Sequence, residues 1–261
     1  MGRATQRTRD VVVAPDGERL AHVAAERFAG IAETAVARAG RFTLALAGGS
    51  TPKGLYSVLA AEPCRTRVPW PQTHVFWGDE RCVPPDHAES NYRMVTETLL
   101  RHVPIPPTQI HRMRGEDADP DRAAADYERV LKAAFGLPAG GLPRFDLILL
   151  GMGADGHTAS LFPGSPALRE TARLVVAHYV ERLQSYRLTL TIPVLNEARE
   201  IVFLVSGHEK TAILRAVLQG GKRNDPIPVQ LIVPREGRVT WLLDADAAHL
   251  LTPSQRKRSF A

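Results

Sequence analysis

The chain has 261 residues, 44% of them hydrophobic and 23% charged, a balance that suits one globular domain and excludes a fibrous or disordered protein. The formal charge of +5 raises the possibility of nucleic-acid binding, but its placement speaks against it. Arg3, Arg7 and Arg9 precede the first apolar run and Arg256, Lys257 and Arg258 follow the last, so the body between is close to neutral. The expected organisation is a basic N-terminal tail over 1–10, one α/β domain over 11–250 and a basic C-terminal tail over 251–261. Two cysteines, Cys64 and Cys82, are too few for a disulfide framework and lack the paired spacing of a zinc site. No apolar run reaches membrane-spanning length and no signal-peptide core follows the first arginines, so a cytoplasmic location is expected. Met1-Gly2 resembles a myristoylation start, but Gln6 stands where Ser or Thr is needed.

In chain order, short apolar runs alternate with helical patterns. Strands are expected at Val11–Val13, Phe42–Ala47, His74–Trp77, Phe145–Leu150, Ile201–Val205 and Val229–Val233, with Leu188–Ile192 and Val239–Leu243 as further candidates. Helix starts are signalled by Asp16 before a long run that stops at Gly40, by Ser90, and by Asp119-Pro120. The alternation predicts a mostly parallel sheet with helices on both faces. The proline-rich pieces Val103–Pro107 and Leu137–Pro143 are short and read as loops within one domain.

Four stretches carry chemistry. In the first, an apolar strand runs into Gly48, Gly49, Ser50 and Thr51, with Pro52 suited to the first turn of a helix. Backbone N–H groups and hydroxyls there could hold a phosphate, although Ser and Thr are also ordinary helix caps. In the second, Asp79, Glu80 and Arg81 follow the strand His74–Trp77, where ligands of open α/β sheets bind. Arg81 could grip a phosphate or carboxylate with its planar fork, and Cys82 is a lesser candidate for a reactive thiol. Three adjacent charges could equally solvate a loop.

The third stretch is the strongest. The strand Phe145–Leu150 ends in Gly151, Gly153 and Gly156, which surround Asp155 and deliver His157 to a loop expected to precede a short helix. Imidazole titrates near neutrality and suits a general acid/base, with Asp155 placed in sequence to orient it. Backbone N–H groups after Thr158 could then stabilise an oxyanion. The glycine spacing stops short of a dinucleotide fingerprint, so no nicotinamide cofactor is expected. In the fourth, Arg187 opens an apolar run ending at Pro193, and Lys210 lies at a helix start, where the macrodipole disfavours a cation unless an anion is bound.

Taken together and in this order, the stretches resemble the 6-phosphogluconolactonase family, most specifically at Gly48-Gly49-Ser50-Thr51-Pro52, Gly78-Asp79-Glu80-Arg81 and Asp155-Gly156-His157-Thr158 through Pro163. The resemblance implies a Rossmann-like three-layer α/β fold of the glucosamine-6-phosphate deaminase and ribose-5-phosphate isomerase type. It implies hydrolysis of a phosphorylated sugar lactone, for which His157 and Asp155 are the candidate reacting pair, with Asp79 either positioning substrate or supporting the loop. Gly48, Gly49, Ser50, Thr51, Lys210 and either Arg81 or Arg187 would hold the phosphate. No metal, cofactor, nucleic acid or membrane is implied. Thr211 and Pro228-Val229-Gln230 depart from the family's usual residues without removing an ionisable group. A deaminase/isomerase on the same fold is the nearest alternative, but Thr158–Leu168 lacks the carboxylate its relay needs. A sugar-phosphate sensor without catalysis is the other.

Overall fold

Strands that are apolar at every position need cover on both faces, because successive side chains point to opposite sides. β5 (Leu147–Leu150) meets that description, and β2 (Phe42–Leu46) and β8 (Glu200–Val205) are apolar but for Thr43 and Glu200; all three are buried at every residue. The computed structural model describes residues 9–221, 225–252 and 257–258. In chain order its elements are β1 (Arg9–Ala14), α1 (Gly17–Ala39), β2, α2 (Ser50–Leu59), α3 (Cys64–Arg67), β3 (Thr73–Trp77), β4 (Asp79–Arg81), α4 (Asn91–Val95) and α5 (Pro120–Phe135). Then come β5, β6 (Val175–Val180), β7 (Ser185–Leu190), α6 (Ile192–Leu195), β8, α7 (Thr211–Gln219), β9 (Arg238–Asp244) and β10 (Lys257–Arg258).

Seven strands form one sheet in the order β10-β1-β9-β8-β5-β2-β3, every neighbouring pair parallel. The Rossmann-like α/β architecture expected from the alternation is therefore present. A second, antiparallel sheet of order β4-β7-β6 was not expected. Gly78 joins the two sheets: its N–H bonds the Leu46 carbonyl of β2 at 2.9 Å and its carbonyl accepts from Leu190 of β7 at 2.9 Å.

The helix ends follow their signals. Asp16 accepts from Arg19 N and Gly40 closes α1 in the left-handed region. Ser90 caps α4 and Asp119 caps α5. Helix α1 packs on β1, β2 and β9, and α5 packs on β6 and β7. Between helix and sheet, Phe28 meets Phe42 edge to face at 5.5 Å, and within the sheet Phe203 of β8 stacks on its partner Trp241 of β9 at 4.1 Å.

Three expectations change. Val229–Val233 is not a strand; Pro228–Leu231 is a 3-10 turn whose Val229 N–H bonds the Gly156 carbonyl at 3.1 Å. The run is apolar because it packs on the loop holding His157, with Val229 and Ile232 buried. The N-terminal tail cannot reach residue 10, since Arg9 and Asp10 begin β1. In the C-terminal segment, Lys257 and Arg258 pair with Val12 and Val13 as a sheet edge. Arg3, Arg7 and Arg256 lie outside the described residues.

One buried contact ties the end of β2 to the helix that follows. The Tyr56 hydroxyl donates to the Ala47 carbonyl at 2.8 Å and accepts from the Ala47 N–H at 3.1 Å, in a fully buried setting. Tyr56→Phe leaves both backbone groups unpaired, and we expect a loss of about 1–3 kcal/mol in a urea unfolding titration; an unchanged midpoint would show the contact to be dispensable.

Candidate active site

A parallel sheet offers a crevice where its strand order reverses. Here β2 leads through α2 to its neighbour β3 on one side, whereas the chain leaving β5 reaches its neighbour β8 on the other. The carboxyl ends of β2, β5 and β8 open there onto a cleft of about 250 Å³. Its lining includes Ser50, Asp79, Arg81, His157 and Lys210, together with the glycines of both strand ends.

On the β2 side, Gly48 is set by close approach. A Cβ there would lie 1.8 Å from Asn91 Oδ1, so only glycine lets α4 seat against the loop. Gly49 is the N-cap of α2 and supplies no side-chain cap. Ser50 and Thr51 therefore begin a ten-residue helix whose first N–H groups have no intrahelical acceptor, and both residues line the cleft. The ordinary cap that Ser or Thr would have provided is not what these residues do.

On the β5 side, His157 is held from three directions. Its Nδ1 lies 2.5 Å from Asp155 Oδ1, and the same oxygen accepts the His157 backbone N–H at 3.2 Å. A carboxylate only accepts, so Nδ1 carries the proton and Nε2 is the basic nitrogen left for the cleft. The ring lies against Gly153, where a Cβ would stand 2.0 Å from Nδ1, and 4.4 Å from the Phe162 ring. Burial raises the Asp155 pKa, but the hydrogen bond and charge of His157, the backbone N–H and Arg182 outweigh it, so the carboxyl titrates below its ordinary value. Ala159 sits at φ 46°, a left-handed conformation costing on the order of 1–3 kcal/mol for a residue with a Cβ. It is held on one side by Thr158 Oγ1 donating to the Gly151 carbonyl at 2.8 Å. On the other, Ser160 Oγ donates to Asp79 Oδ2 at 2.7 Å.

Asp79 is buried and faces the cleft, with Asn91 Nδ2 at 3.3 Å from Oδ1. Glu80 points the other way and is 2% exposed. It accepts the N–H groups of Arg81, Asn91 and Tyr92, each at 2.8 Å, so it caps α4. Burial raises its pKa against the pull of those donors. Arg81 lines the cleft and bonds the Glu89 carbonyl at 2.6 Å. Arg187 stands opposite Arg81 across the β4–β7 pair but is not among the lining residues, because its guanidinium turns to Ser185 Oγ and the Tyr186 carbonyl. Burial, then the like charge of Arg81, lowers its pKa. Lys210 lies at the start of α7 and lines the cleft; its nearest carboxylate, on Glu209, is 3.8 Å away. Burial pushes the Cys82 thiol up to about 11, which leaves it protonated at neutral pH.

No helix follows Thr158. The segment turns back on itself through a bridge between Thr158 and Leu161, and the next helical turn is Pro166–Arg169. A helix start is therefore not available there to stabilise an oxyanion. Three residues that matter to the geometry were not singled out in sequence: Asn91, which reaches both Asp79 and Gly48; Ser160, which lies inside the Asp155–Pro163 stretch and ties the His157 loop to Asp79; and Arg182, which bonds Asp155 Oδ2 at 2.7 Å. Among the described residues, no group of three or more His, Cys, Asp or Glu side chains is placed to hold a metal, and no helix is long and apolar enough to cross a membrane.

Sheet and cleft together define a Rossmann-like α/β protein with a cation-lined cleft at its strand reversal. More narrowly, the chain belongs to the family described as glucosamine-6-phosphate isomerases/6-phosphogluconolactonase, which matches residues 15–241. It is 46% identical to the 6-phosphogluconolactonase of Synechocystis over 219 residues, covering 84% of this chain and 88% of that one. It is 41% identical to the human 6-phosphogluconolactonase, covering 93% and 92% of the two chains. The solved structure of 6-phosphogluconolactonase from Trypanosoma cruzi superposes with a TM-score of 0.84 at 30% identity, over 96% of this chain and all of that one.

The hydrogen bond from Nδ1 to Asp155 gives this geometry a direct readout. The ligand-free protein should show a far-downfield imidazole N–H proton resonance, absent in Asp155→Asn and in Gly153→Ala, whose methyl group would displace the ring. Persistence of the signal in both variants would show that His157 is not held this way.

Proposed function

We propose that the protein hydrolyses 6-phosphoglucono-δ-lactone to 6-phosphogluconate, the lactone step of the oxidative pentose phosphate pathway, with His157 as general acid/base. The observation that carries the mechanism is the His157–Asp155 pair, which fixes a basic Nε2 in the same cleft as an uncapped helix start and two cations. That separation of a base from an anion site suits a substrate with its phosphate at one end and its reacting carbonyl at the other.

In this reading the phosphate lies on the N–H groups and hydroxyls of Ser50 and Thr51, with Gly48 and Gly49 allowing close approach and with Lys210 and Arg81 supplying charge. Arg187 adds positive potential behind Arg81 without touching the ligand. Nε2 takes a proton from water as the water oxygen adds to the lactone carbonyl. The tetrahedral intermediate collapses by breaking the bond to the ring oxygen, which receives the proton from Nε2 and becomes the product hydroxyl. Asp155 steadies the imidazolium formed between these steps. Asp79 holds the His157 loop to the opposite wall through Ser160. Phosphate binding contributes by orientation, since a carbonyl held against its base reacts far faster than one that diffuses.

An isomerase or deaminase reaction would need a carboxylate free to move a proton between neighbouring carbons. Asp79 is the one carboxylate among the lining residues, and both its oxygens are already engaged. The cleft thus favours hydrolysis over proton shuttling.

The test follows disappearance of 6-phosphoglucono-δ-lactone at neutral pH, corrected for spontaneous hydrolysis. His157→Ala should lower turnover by roughly 10²–10⁴. Lys210→Ala should raise KM more than it lowers kcat. No acceleration by the wild type would remove the hydrolase reading, and binding of 6-phosphogluconate without turnover would point to a sensor instead.

A further inference from the structure

A cation stands against the pair that carries the chemistry. Asp155 divides its two oxygens: Oδ1 goes to His157, and Oδ2 takes Arg182 Nη2 at 2.7 Å. The same Nη2 is 3.5 Å from His157 Nδ1. The Arg182 guanidinium lies 4.8 Å from the centre of the Phe162 ring, which packs on the His157 ring. Arg182 is therefore seated by two groups, the Asp155 carboxylate and the Phe162 ring, although its side chain is 51% exposed.

The turn that presents it is also built. Glu181–Leu183 forms a 3-10 turn between β6 and β7, closed by Gln184 at φ 47°. Gln184 Nε2 donates to the Glu181 carbonyl at 2.6 Å, and Tyr179 donates its hydroxyl to Gln184 Oε1 at 3.2 Å.

A carboxylate bound to an imidazole favours the protonated ring, and a ring that is already protonated cannot take a proton from water. Arg182 opposes this in two ways: it draws off part of the Asp155 charge, and it places a like charge beside Nδ1. The other charged groups around the ring are Glu181 on the same turn and, across the cleft, Asp79, Arg81 and Lys210.

We propose that Arg182 is a positioning residue that locks the Asp155 carboxylate in the orientation that grips Nδ1 and keeps His157 available as a base at neutral pH. The role rests on the reading of His157 as the general base.

Two measurements test it on the full chain. The first follows the His157 ring carbon-bound protons by NMR through a pH titration of ligand-free wild type, Arg182→Gln and Arg182→Lys. The Gln variant should titrate higher than wild type by roughly 0.2–0.7 pH unit, the size expected of one partly screened charge, with Lys restoring most of the difference. The second is the pH profile of kcat/KM for the lactone, whose acid limb should move up by the same amount while KM above that limb stays near the wild-type value. Equal titration in all three proteins overturns the proposal. So does a loss of kcat/KM that is uniform with pH while the ring titration is unmoved, because that marks a substrate contact or a packing residue. The ring titration needs no turnover: a wild type without lactonase activity but with the NMR shift on substitution would remove the hydrolase reading and leave Arg182's effect on His157 standing.

Discussion

Everything in the site depends on the reversal of strand order between β2 and β5. Because the seven strands are parallel, their carboxyl ends share one edge, and because the chain leaves β2 and β5 in opposite directions, the two loops part instead of covering each other. The crevice left between them receives the glycine turn from one strand and His157 from the other, while β8 brings in Lys210. Gly78 makes the fourth wall possible by passing the chain from the main sheet into the small one within a single residue, so that Asp79 begins β4 beside the cleft.

The walls are fixed by buried polar contacts. Glu80 satisfies three N–H groups near the start of α4, and α4 brings Asn91 over Gly48 and onto Asp79. Asp79 in turn grips Ser160, one residue past the strained Ala159. Buried carboxylates are costly unless their oxygens are taken, and here each is taken by a group belonging to a different wall. The arrangement supplies a rigid mount for His157, which is what general acid/base chemistry at a defined carbonyl requires.

Much of this was legible in the sequence, for physical reasons. Near-continuous apolar runs ending in glycine, as at Phe42–Gly49 and Phe145–Gly153, specify doubly covered strands whose ends bear close contacts, and both strand ends are in the cleft. The run Val229–Val233 misled because burial alone does not separate a strand from a turn packed on a loop; Pro228 starts a 3-10 turn there. Strand β6 went unread because its outward Tyr179 is stabilised by Tyr186 across the hairpin, a pairing visible only in three dimensions. Arg187 looked equivalent to Arg81 until register placed them opposite each other and only Arg81 on the cleft. Asn91, Ser160 and Arg182 act through partners far away in the chain, so no local spacing marks them.

The central claim is that one cleft holds a phosphate at the start of α2 and a reacting carbonyl at His157. A structure of the protein with 6-phosphogluconate bound tests it most directly. The account predicts the phosphate on Ser50, Thr51 and Lys210 and the C1 carboxylate within hydrogen-bonding distance of His157 Nε2. A ligand bound in the reverse sense, or with its phosphate away from α2, would contradict it.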